Sequence, residues 1–465
     1  MSKSRPKSKN IEDTYPLSPM QEGMLFHSLY APVSGVYVTQ VTCTLGNLNV
    51  LALEQAWQEV IDRHPILRTA FVWENLKKPL QVVGRRVGAP WERQDWRELP
   101  ETEQEERFRA YLKADRDRGF KLSSAPLMRL ALFQLGKDTY KFVWSHHHIL
   151  LDGWSVHLLI NEVATFYACF CQGQNIRLNP SRPYRDYIAW LQRQDQAAAE
   201  RFWRESFKGF TAPTPLSVDR KIGNAPDLED RYGNERIGLS ASTTAALQNL
   251  ARSQKLTLNT VAQGVWAILL SRYSGEEDVV FGNVVSGRPA DLTGVESMIG
   301  LFINTLPARV EVLSEASLLP WLKKFQEQQV ETRRYEYSPL VQVQGVTDAP
   351  RSQPMFESLF VFENYPVDYT VSERDINLEA RDYRVIERNN YPLAFVIGQG
   401  SELTLRISYD RRRFDAATIN RMLGHLQTLL EGVITHQEQR ISDLPMVTAA
   451  EQRRLLKAGT TMKRM

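Results

Sequence analysis

The chain has 465 residues, which is enough for about two or three domains that each bury a core of their own. A formal net charge of +3 is too small to indicate nucleic acid or a membrane surface as a partner. The three cysteines have no zinc-ligand spacing and no apolar run is long enough to span a membrane, so we expect a cytoplasmic protein without a disulfide framework.

The N-terminal part begins with a basic, polar stretch at residues 1–10 that we expect to be a disordered linker. Ser18 followed by Pro19 is typical of the start of a helix. A strand is predicted over 37–45, and apolar residues at helical spacing predict a helix over 50–63. The chain therefore mixes helices and strands from its beginning.

The next segment, residues 63–71, reads RHPILRTAF. Pro65 ends the preceding helix, and the residues after it continue as a strand. Arg68 lies among apolar residues of that strand, and a half-buried arginine needs a carboxylate partner. We therefore predict that Arg68 forms a structural ion pair.

The most informative segment, residues 139–155, reads TYKFVWSHHHILLDGWS. Its aromatic residues recur at every second position, which predicts a strand with one buried face. The strand leads into three histidines, His146 to His148, and Asp152 precedes a stretch with helical apolar spacing. Because neighbouring strand side chains point to opposite faces, His147 and His148 are expected to have different roles.

These residues have a structural and a functional interpretation. An aspartate before a helix is commonly an N-cap, and a histidine in an apolar strand is commonly a satisfied core residue. Burying an imidazole without a partner costs about 1–3 kcal/mol, so three consecutive histidines favour a functional site. A metal site is disfavoured because the segment has no HExxH pattern, no i, i+4 histidine spacing and no nearby cysteine.

The remaining elements continue the mixture of helices and strands. Helices are predicted over 101–118, 154–171, 184–210, 241–254, 257–274 and 415–434, and strands over 127–135, 237–239, 278–286, 393–397 and 403–409. Polar residues 211–233 contain several prolines and glycines and are predicted to connect two halves. Two halves of this kind predict two α/β lobes.

The segment His147–Gly153 matches the pattern HHxxxDG, and the chain resembles the condensation domains of nonribosomal peptide synthetases, which share the chloramphenicol acetyltransferase-like fold. Three further stretches are similar to motifs of that family. They read QEGMLFHSL from Gln21, RHPILRTAF from Arg63 and IGLFINTLPAR from Ile299. The resemblance extends over residues 11–455.

The resemblance implies an α/β fold with two chloramphenicol acetyltransferase-like lobes in a V-shaped pseudo-dimer and the active site at the lobe interface. The predicted division follows the chain without interruption. It consists of a linker at 1–10, an N-terminal lobe at 11–183, a helix and inter-lobe connection at 184–233, a C-terminal lobe at 234–446 and a tail or linker at 447–465.

The resemblance also implies an enzyme that forms an amide bond. A carrier-bound aminoacyl amine would attack an upstream carrier-bound peptidyl thioester, as in an elongation-type condensation domain. Neither a cofactor nor a metal is expected to bind the chain directly, because phosphopantetheine arms carry the substrates. The implied partners are the upstream (donor) and downstream (acceptor) peptidyl carrier proteins and an adjacent adenylation domain, and the excised domain is expected to be a monomer.

The implied catalytic group is the motif itself, with His148 on the reaction face and His147 supporting it. His148 would accept a proton from the amine or orient it by a hydrogen bond. Asp152 is expected to be structural and to pair with Arg288, tying one lobe to the other, and Gly153 would let the backbone approach the substrate. The residues expected to line the substrate tunnel are Met20, Gln21, Met24, Trp154, Ser155 and Asn304.

Two alternative functions remain open from the sequence. An epimerisation domain shares HHxxxD but typically departs from the DGWS continuation that this chain keeps at residues 152–155. A catalytically silent docking or recruitment module typically loses the second histidine or the glycine of the motif, and both are present here. The amino acids that are joined and the L or D configuration of the donor residue are not readable from the sequence.

Overall fold

A computed structural model describes the chain at residues 10–31, 35–216, 218, 231–364, 378–448 and 451–453. The predicted linker at 1–10, the predicted connection within 184–233 and the predicted tail at 447–465 fall partly outside these residues. Where the chain is described, no helix combines the length and the apolar character that a bilayer span requires.

The described residues form strands and helices in alternation, which confirms the α/β class predicted from the sequence. The strands are β1 (Ile11–Pro16), β2 (Val38–Gly46), β3 (Thr69–Val72), β4 (Leu80–Gly84), β5 (Trp91–Asp95), β6 (Met128–Gln134), β7 (Thr139–His147), β8 (Tyr232–Gly238), β9 (Asp278–Val285), β10 (Asn304–Glu311), β11 (Ser358–Glu363), β12 (Glu379–Ile386), β13 (Leu393–Gly398) and β14 (Thr404–Asp410). The helices are α1 (Pro19–Tyr30), α2 (Val50–Arg63), α3 (Glu101–Arg118), α4 (Gly153–Cys171), α5 (Arg185–Leu191), α6 (Gln196–Ser206), α7 (Ala241–Gln254), α8 (Leu258–Ser274), α9 (Leu318–Arg333), α10 (Leu340–Gly345) and α11 (Ala416–Thr435).

The chain divides into two compact units, and both are discontinuous in sequence. Unit 1 contains residues 1–194, 286–303 and 365–390, and unit 2 contains residues 195–285, 304–364 and 391–465. The division predicted from the sequence was continuous. In the structure the chain instead returns to unit 1 twice after it has entered unit 2, once in each of the two later segments.

Unit 1 is built on a five-stranded sheet in the order β12-β2-β7-β6-β5. The central strand β7 pairs antiparallel with β2 and β6, so both of its edges are hydrogen-bonded. Helices α2 and α4 pack together, and the buried Trp57 of α2 contacts Trp144 of β7 with ring centroids 4.9 Å apart. A smaller three-stranded sheet has the order β1-β4-β3. The end of β7 is therefore held in the interior of a packed sheet.

Unit 2 has its own sheet and its own core. The six strands follow the order β10-β9-β11-β13-β14-β8, and β11 runs parallel to both of its neighbours. Helix α8 is buried along most of its length, with Trp266 packed 5.1 Å from Phe395 of β13. A helix that is apolar on nearly all sides belongs in a core.

Two of the sequence predictions for these elements need correction. The single helix predicted over 184–210 is two helices, α5 and α6, because Asp195 starts a new helix by accepting a hydrogen bond from Ala198 N–H at 3.0 Å. The strand predicted over 237–239 is the longer β8, Tyr232–Gly238. Where the sequence showed clear helical periodicity, as in 50–63 and 241–254, the predicted bounds agree with α2 and α7.

Candidate active site

The candidate site lies where β7 ends and α4 begins. β7 extends to His147, which pairs with Val38 of β2, and His148 is the first residue of the turn that follows. His146 and His147 are both almost completely buried. The turn is short because Asp152 caps α4, accepting a hydrogen bond from Ser155 N–H at 2.8 Å.

The His147 imidazole is held at both ring nitrogens. Nδ1 accepts a hydrogen bond from the backbone N–H of Ile149 at 3.1 Å, and Nε2 lies 3.2 Å from Ser28 Oγ. The Ser28 hydroxyl donates to Met24 O at 2.7 Å, so its oxygen accepts from His147 Nε2–H. Burial, together with His148 and His146, lowers the pKa of His147 to about 3. His147 is therefore a neutral structural residue that fixes the turn and α1.

His146 is also neutral. Its ring lies 4.7 Å from the Trp144 ring, and within the described ranges neither of its nitrogens has a hydrogen-bond partner. Burial is the main cause that lowers the pKa of His146 to about 3. Because charging either of these two imidazoles is unfavourable, the charge that this segment can carry is concentrated on His148.

His148 has a different environment. Its Nε2 lies 2.9 Å from Oε1 of Glu387, and the two side chains are 12 % and 38 % exposed. Burial alone would lower the pKa of His148, but the Glu387 charge, its hydrogen bond and the more distant Asp152 outweigh burial and raise the pKa to about 8. At neutral pH, His148 and Glu387 thus form an ion pair in the structure.

Asp152 and Arg288 form a second, more deeply buried pair. Arg288 Nη2 lies 3.3 Å from Asp152 Oδ1, with side chains 7 % and 1 % exposed. The other carboxylate oxygen of Asp152 accepts from the Phe302 N–H at 2.9 Å. The Arg288 guanidinium also donates to Ser155 Oγ at 2.9 Å and stacks over the Phe302 ring at 4.0 Å. This is the pairing predicted from the sequence.

The expected consequence of that pairing is wrong in one respect. Arg288 was expected to tie one lobe to the other, but residues 286–303 belong to unit 1, as Asp152 does. The pair therefore acts within unit 1, where it anchors the 286–303 segment to the start of α4.

Two glycines make the close packing of the 286–303 segment possible. Gly287 has a φ of +59°, and a Cβ there would meet Phe302 O at 1.8 Å. At Gly300 a Cβ would meet Tyr184 Cδ2 at 2.1 Å. The Ser155 hydroxyl donates to Gly300 O at 2.7 Å and accepts from Gly300 N–H at 3.1 Å. These contacts join the segment to α4 without a side chain between them.

Almost the whole chain matches one known protein family. The family model described as Condensation domain matches residues 11–456. The chain belongs to the condensation domain family. The resemblance identified from the sequence motifs is therefore confirmed.

This condensation domain is similar to part of a much longer curated protein. It is 47 % identical over 450 residues to one of the proteins that make up the linear gramicidin synthase of Brevibacillus parabrevis. The match covers 97 % of this chain but 6 % of that protein, so the chain spans only a small fraction of its relative. The similarity therefore concerns a small part of that synthase protein.

Solved structures support the same fold. The four-domain nonribosomal peptide synthetase holo-AB3403 has a TM-score of 0.80 at 19 % identity, covering 97 % of this chain and 35 % of that chain. The starter condensation domain of rhizomide synthetase, in complex with C8-CoA and Leu-SNAC, has a TM-score of 0.79 at 18 % identity, covering 94 % and 98 %. At these identities the likeness concerns the fold, and it agrees with the mixed α/β fold of two units described above.

Of the residues predicted to line the substrate tunnel, three have buried side chains. Gln21 is fully buried and its amide donates to Gln81 Oε1 and to Ile149 O, both at 3.1 Å. Met24 and Ser155 are also buried. Gln21 thus supports the turn that carries His148, because its amide holds the carbonyl of Ile149 in that turn.

The other predicted lining residues are distributed differently. Met20 and Trp154 are partly exposed in unit 1, and Trp154 Nε1–H donates to Glu296 O at 2.9 Å. Gly153 is the first residue of α4, and its carbonyl lies 2.7 Å from His157 Nδ1. Asn304 belongs to unit 2, where its amide donates to the carbonyls of Glu336 and Ser338, both at 2.8 Å. The structure thus leaves the lining role of these residues as a prediction.

One charged residue of this site, Glu387, was not predicted from the sequence. Glu387 has no motif around it, and it reaches His148 only because β12 pairs with β2 at the edge of the unit 1 sheet. Ser28 was also missed, although it lies inside the QEGMLFHSL stretch, four residues after Met24. A serine at that spacing on a predicted helix was the only available signal for the contact with His147.

Proposed function

We propose that this condensation domain forms an amide bond between a downstream carrier-bound aminoacyl group and an upstream carrier-bound acyl or peptidyl thioester, as an elongation domain does. The observation that carries the proposal is the division of roles within the intact HHxxxDG motif. His147 is neutral, with both nitrogens engaged in the protein, whereas His148 is partly exposed and ionisable near neutral pH.

The reaction needs little from the protein except placement and one proton acceptor. The α-amine attacks the thioester carbonyl carbon, the C–N bond forms and the C–S bond breaks. One proton leaves the nitrogen, and the departing thiolate takes up one proton. A free α-amine has a pKa of about 8, so part of it is neutral at cellular pH, and holding it close to the carbonyl could supply up to about 7–11 kcal/mol.

His148 is the residue that we assign to this proton. An imidazole whose pKa is about 8 matches that of the amine, so proton exchange between the two is close to balanced in free energy. His147 and the Asp152–Arg288 pair hold the backbone on either side of it. The start of α4 supplies backbone N–H groups, which favour developing negative charge on the carbonyl oxygen.

The proposal includes the partners that the reaction requires. Donor and acceptor carrier proteins would present the substrates on phosphopantetheine arms, so the domain would bind no cofactor of its own. The relative in Brevibacillus parabrevis is part of a linear gramicidin synthase. An adenylation domain that loads the acceptor carrier is the expected neighbour in such a synthase.

The direct test uses two carrier domains, loaded chemically with a peptidyl donor and an aminoacyl acceptor. After mixing with the domain, intact mass spectrometry of the acceptor carrier should show a gain equal to the donor acyl group. Mixtures without the domain provide the background rate. If no transfer above this background occurs over a panel of donors and acceptors, the proposed activity is wrong.

The same assay distinguishes the alternatives. Chiral analysis of the residue released from the donor carrier would reveal inversion without amide formation if the domain were an epimerisation domain. Binding of loaded carriers without any change in mass or configuration would indicate a silent docking module. Both outcomes would contradict the proposal.

A further inference from the structure

Glu387 reaches His148 through the register of the sheet. β12 pairs with β2 so that Ile386 lies opposite Gln40, and β2 pairs with β7 so that Val38 lies opposite His147. The chain therefore leaves β12 close to the end of β7. Glu387, the first residue after β12, places Oε1 2.9 Å from His148 Nε2.

Hydrogen bonds from Tyr37 hold the segment that carries Glu387 in place. The Tyr37 N–H donates to Arg388 O at 3.1 Å, and its hydroxyl donates to Asn390 Oδ1 at 2.8 Å. The Tyr37 carbonyl accepts from the His148 N–H at 2.7 Å. One residue thus connects the backbone of His148 with the segment that follows Glu387.

Tyr37 makes these contacts in an unfavourable backbone conformation. Its φ of +66° lies in the left-handed region, which a bulky aromatic residue rarely adopts and which costs on the order of 1–3 kcal/mol. Strain of this kind persists only where the surrounding contacts hold it. The geometry around the Glu387 segment is therefore specified by the fold.

The other ionisable groups around His148 do not replace Glu387. His146 and His147, on β7, are buried and neutral. Asp152, at the start of α4, adds a favourable interaction but is already paired with Arg288. Glu387 is the carboxylate in direct contact with the His148 ring in the described part of the chain.

The contact also fixes which nitrogen of His148 can exchange a proton. Nδ1 is buried and, within the ranges that the structure describes, has no hydrogen-bond partner. Nε2 faces Glu387 at hydrogen-bond distance. Proton exchange with a substrate therefore has to proceed through the nitrogen that Glu387 contacts.

We propose that Glu387 is a positioning residue of the amide-forming site, whose carboxylate fixes the orientation of the His148 ring and stabilises the imidazolium that forms when Nε2 takes up a proton. The effect of Glu387 on amide formation rests on the proposed function, whereas its effect on the His148 ring does not. The imidazolium that forms when His148 takes the proton of the amine is stabilised by Glu387, and the proton then leaves with the thiol product. Loss of the carboxylate should make His148 a weaker base with a less fixed ring.

The first test measures the proton on His148 directly. The full chain, labelled with ¹³C and ¹⁵N at histidine, is titrated by NMR, and a His148→Ala variant assigns the His148 ring signals. The parent should show a His148 pKa of about 8, and in Glu387→Gln the value should fall below the ordinary 6.5 because burial is then less opposed. Glu379→Gln, which removes an exposed carboxylate from β12 of the same unit, is the matched control and should leave the His148 titration unchanged. An unchanged His148 pKa in Glu387→Gln overturns the proposal.

The second test measures amide formation as a function of pH in single turnovers. Glu387→Gln should slow the reaction by up to about 10²-fold at the parent's optimum and move the acidic limb of the profile to lower pH. Glu387→Asp, which keeps the charge, should restore part of both. A uniform loss at every pH, without a shift of the limb, would indicate a merely structural role and would contradict the proposal.

The two tests separate this inference from the proposed function. If the parent forms no amide, the proposed function fails, while the NMR titration still decides whether Glu387 holds the proton on His148. If the parent forms the amide and Glu387→Gln matches it in rate, pH profile and titration, the proposed function stands and the role of Glu387 is refuted.

Discussion

Replacing Asp152 by alanine is expected to destabilise unit 1 strongly. The carboxylate is 1 % exposed, and it accepts hydrogen bonds from Ser155 N–H at 2.8 Å and Phe302 N–H at 2.9 Å in addition to its pair with Arg288. Removing it leaves a 7 % exposed guanidinium without its counter-charge and deprives α4 of its N-cap. Loss of one partner of a buried pair costs about 3–5 kcal/mol.

The assay is thermal unfolding of the purified domain. In a domain of about 150–250 residues, 1 kcal/mol corresponds to about 2–4 °C, so Asp152→Ala should lower the melting temperature by about 6–20 °C. Asp152→Asn keeps an N-cap side chain but loses the charge, and its loss should be smaller. The difference between the two variants measures the capping contribution.

A surface ion pair provides the control for this measurement. Asp117 pairs with Lys113 on α3 at 3.0 Å, with both side chains largely exposed. Asp117→Ala should cost no more than about 1 kcal/mol. If Asp152→Ala melts within the range of Asp117→Ala, the structural role assigned to Asp152 is refuted.

Two further predictions concern stability. Gly300→Ala should lower the free energy of unfolding in urea by about 1–3 kcal/mol, because its Cβ would lie 2.1 Å from a Tyr184 ring carbon. The control Gly23→Ala, which has open space around it in α1, should be neutral or stabilising, and equal effects of the two substitutions would contradict the packing described for Gly300. The free energy of unfolding should fall between pH 7 and pH 5 by about 2 kcal/mol for each of His146 and His147, because their folded-state pKa lies below the unfolded value and the unfolded chain binds the protons; His147→Gln should remove part of that fall, and an unchanged pH dependence would refute the assignment.

Local patterns predicted most elements of the fold. The alternation in residues 139–145 gave β7, and the helical spacing in 50–63 gave α2 with its bounds. Arg68, predicted to form a structural ion pair, contacts Glu12 at 2.5 Å, which confirms that prediction. Such features depend on neighbours in the sequence or on the cost of burying one group, and both are readable from the chain.

Features that depend on distant parts of the chain were not readable. The helix predicted over 101–118 has these bounds in α3, but the sequence did not indicate that its Asp115 is buried against Arg129 at 2.6 Å. Residues 286–303 and 365–390 belong to unit 1, but no periodicity in the sequence indicates it. Glu387 belongs to one of these returns, which is why its contact with His148 could not be predicted.

The candidate site shows the same limit. The linear motif identified His147, His148 and Asp152, because their spacing in the sequence is itself the signal. The partner Arg288 was expected from the family resemblance, and the structure places it 3.3 Å from Asp152. The motif could not predict that His147 is engaged at both nitrogens and neutral, since those partners come from α1 and from the turn. The burial of Gln21 could not be predicted either, because it depends on tertiary packing.

The central claim, that His148 exchanges the proton of the attacking amine, is tested most directly by single-turnover amide formation with His148→Ala. We expect the rate of amide formation to fall by about 10²–10⁴, with the melting temperature and carrier binding unchanged. His436→Ala, which removes an imidazole at the end of α11, should react like the parent. A His148→Ala variant that forms the amide at the parental rate would contradict the account.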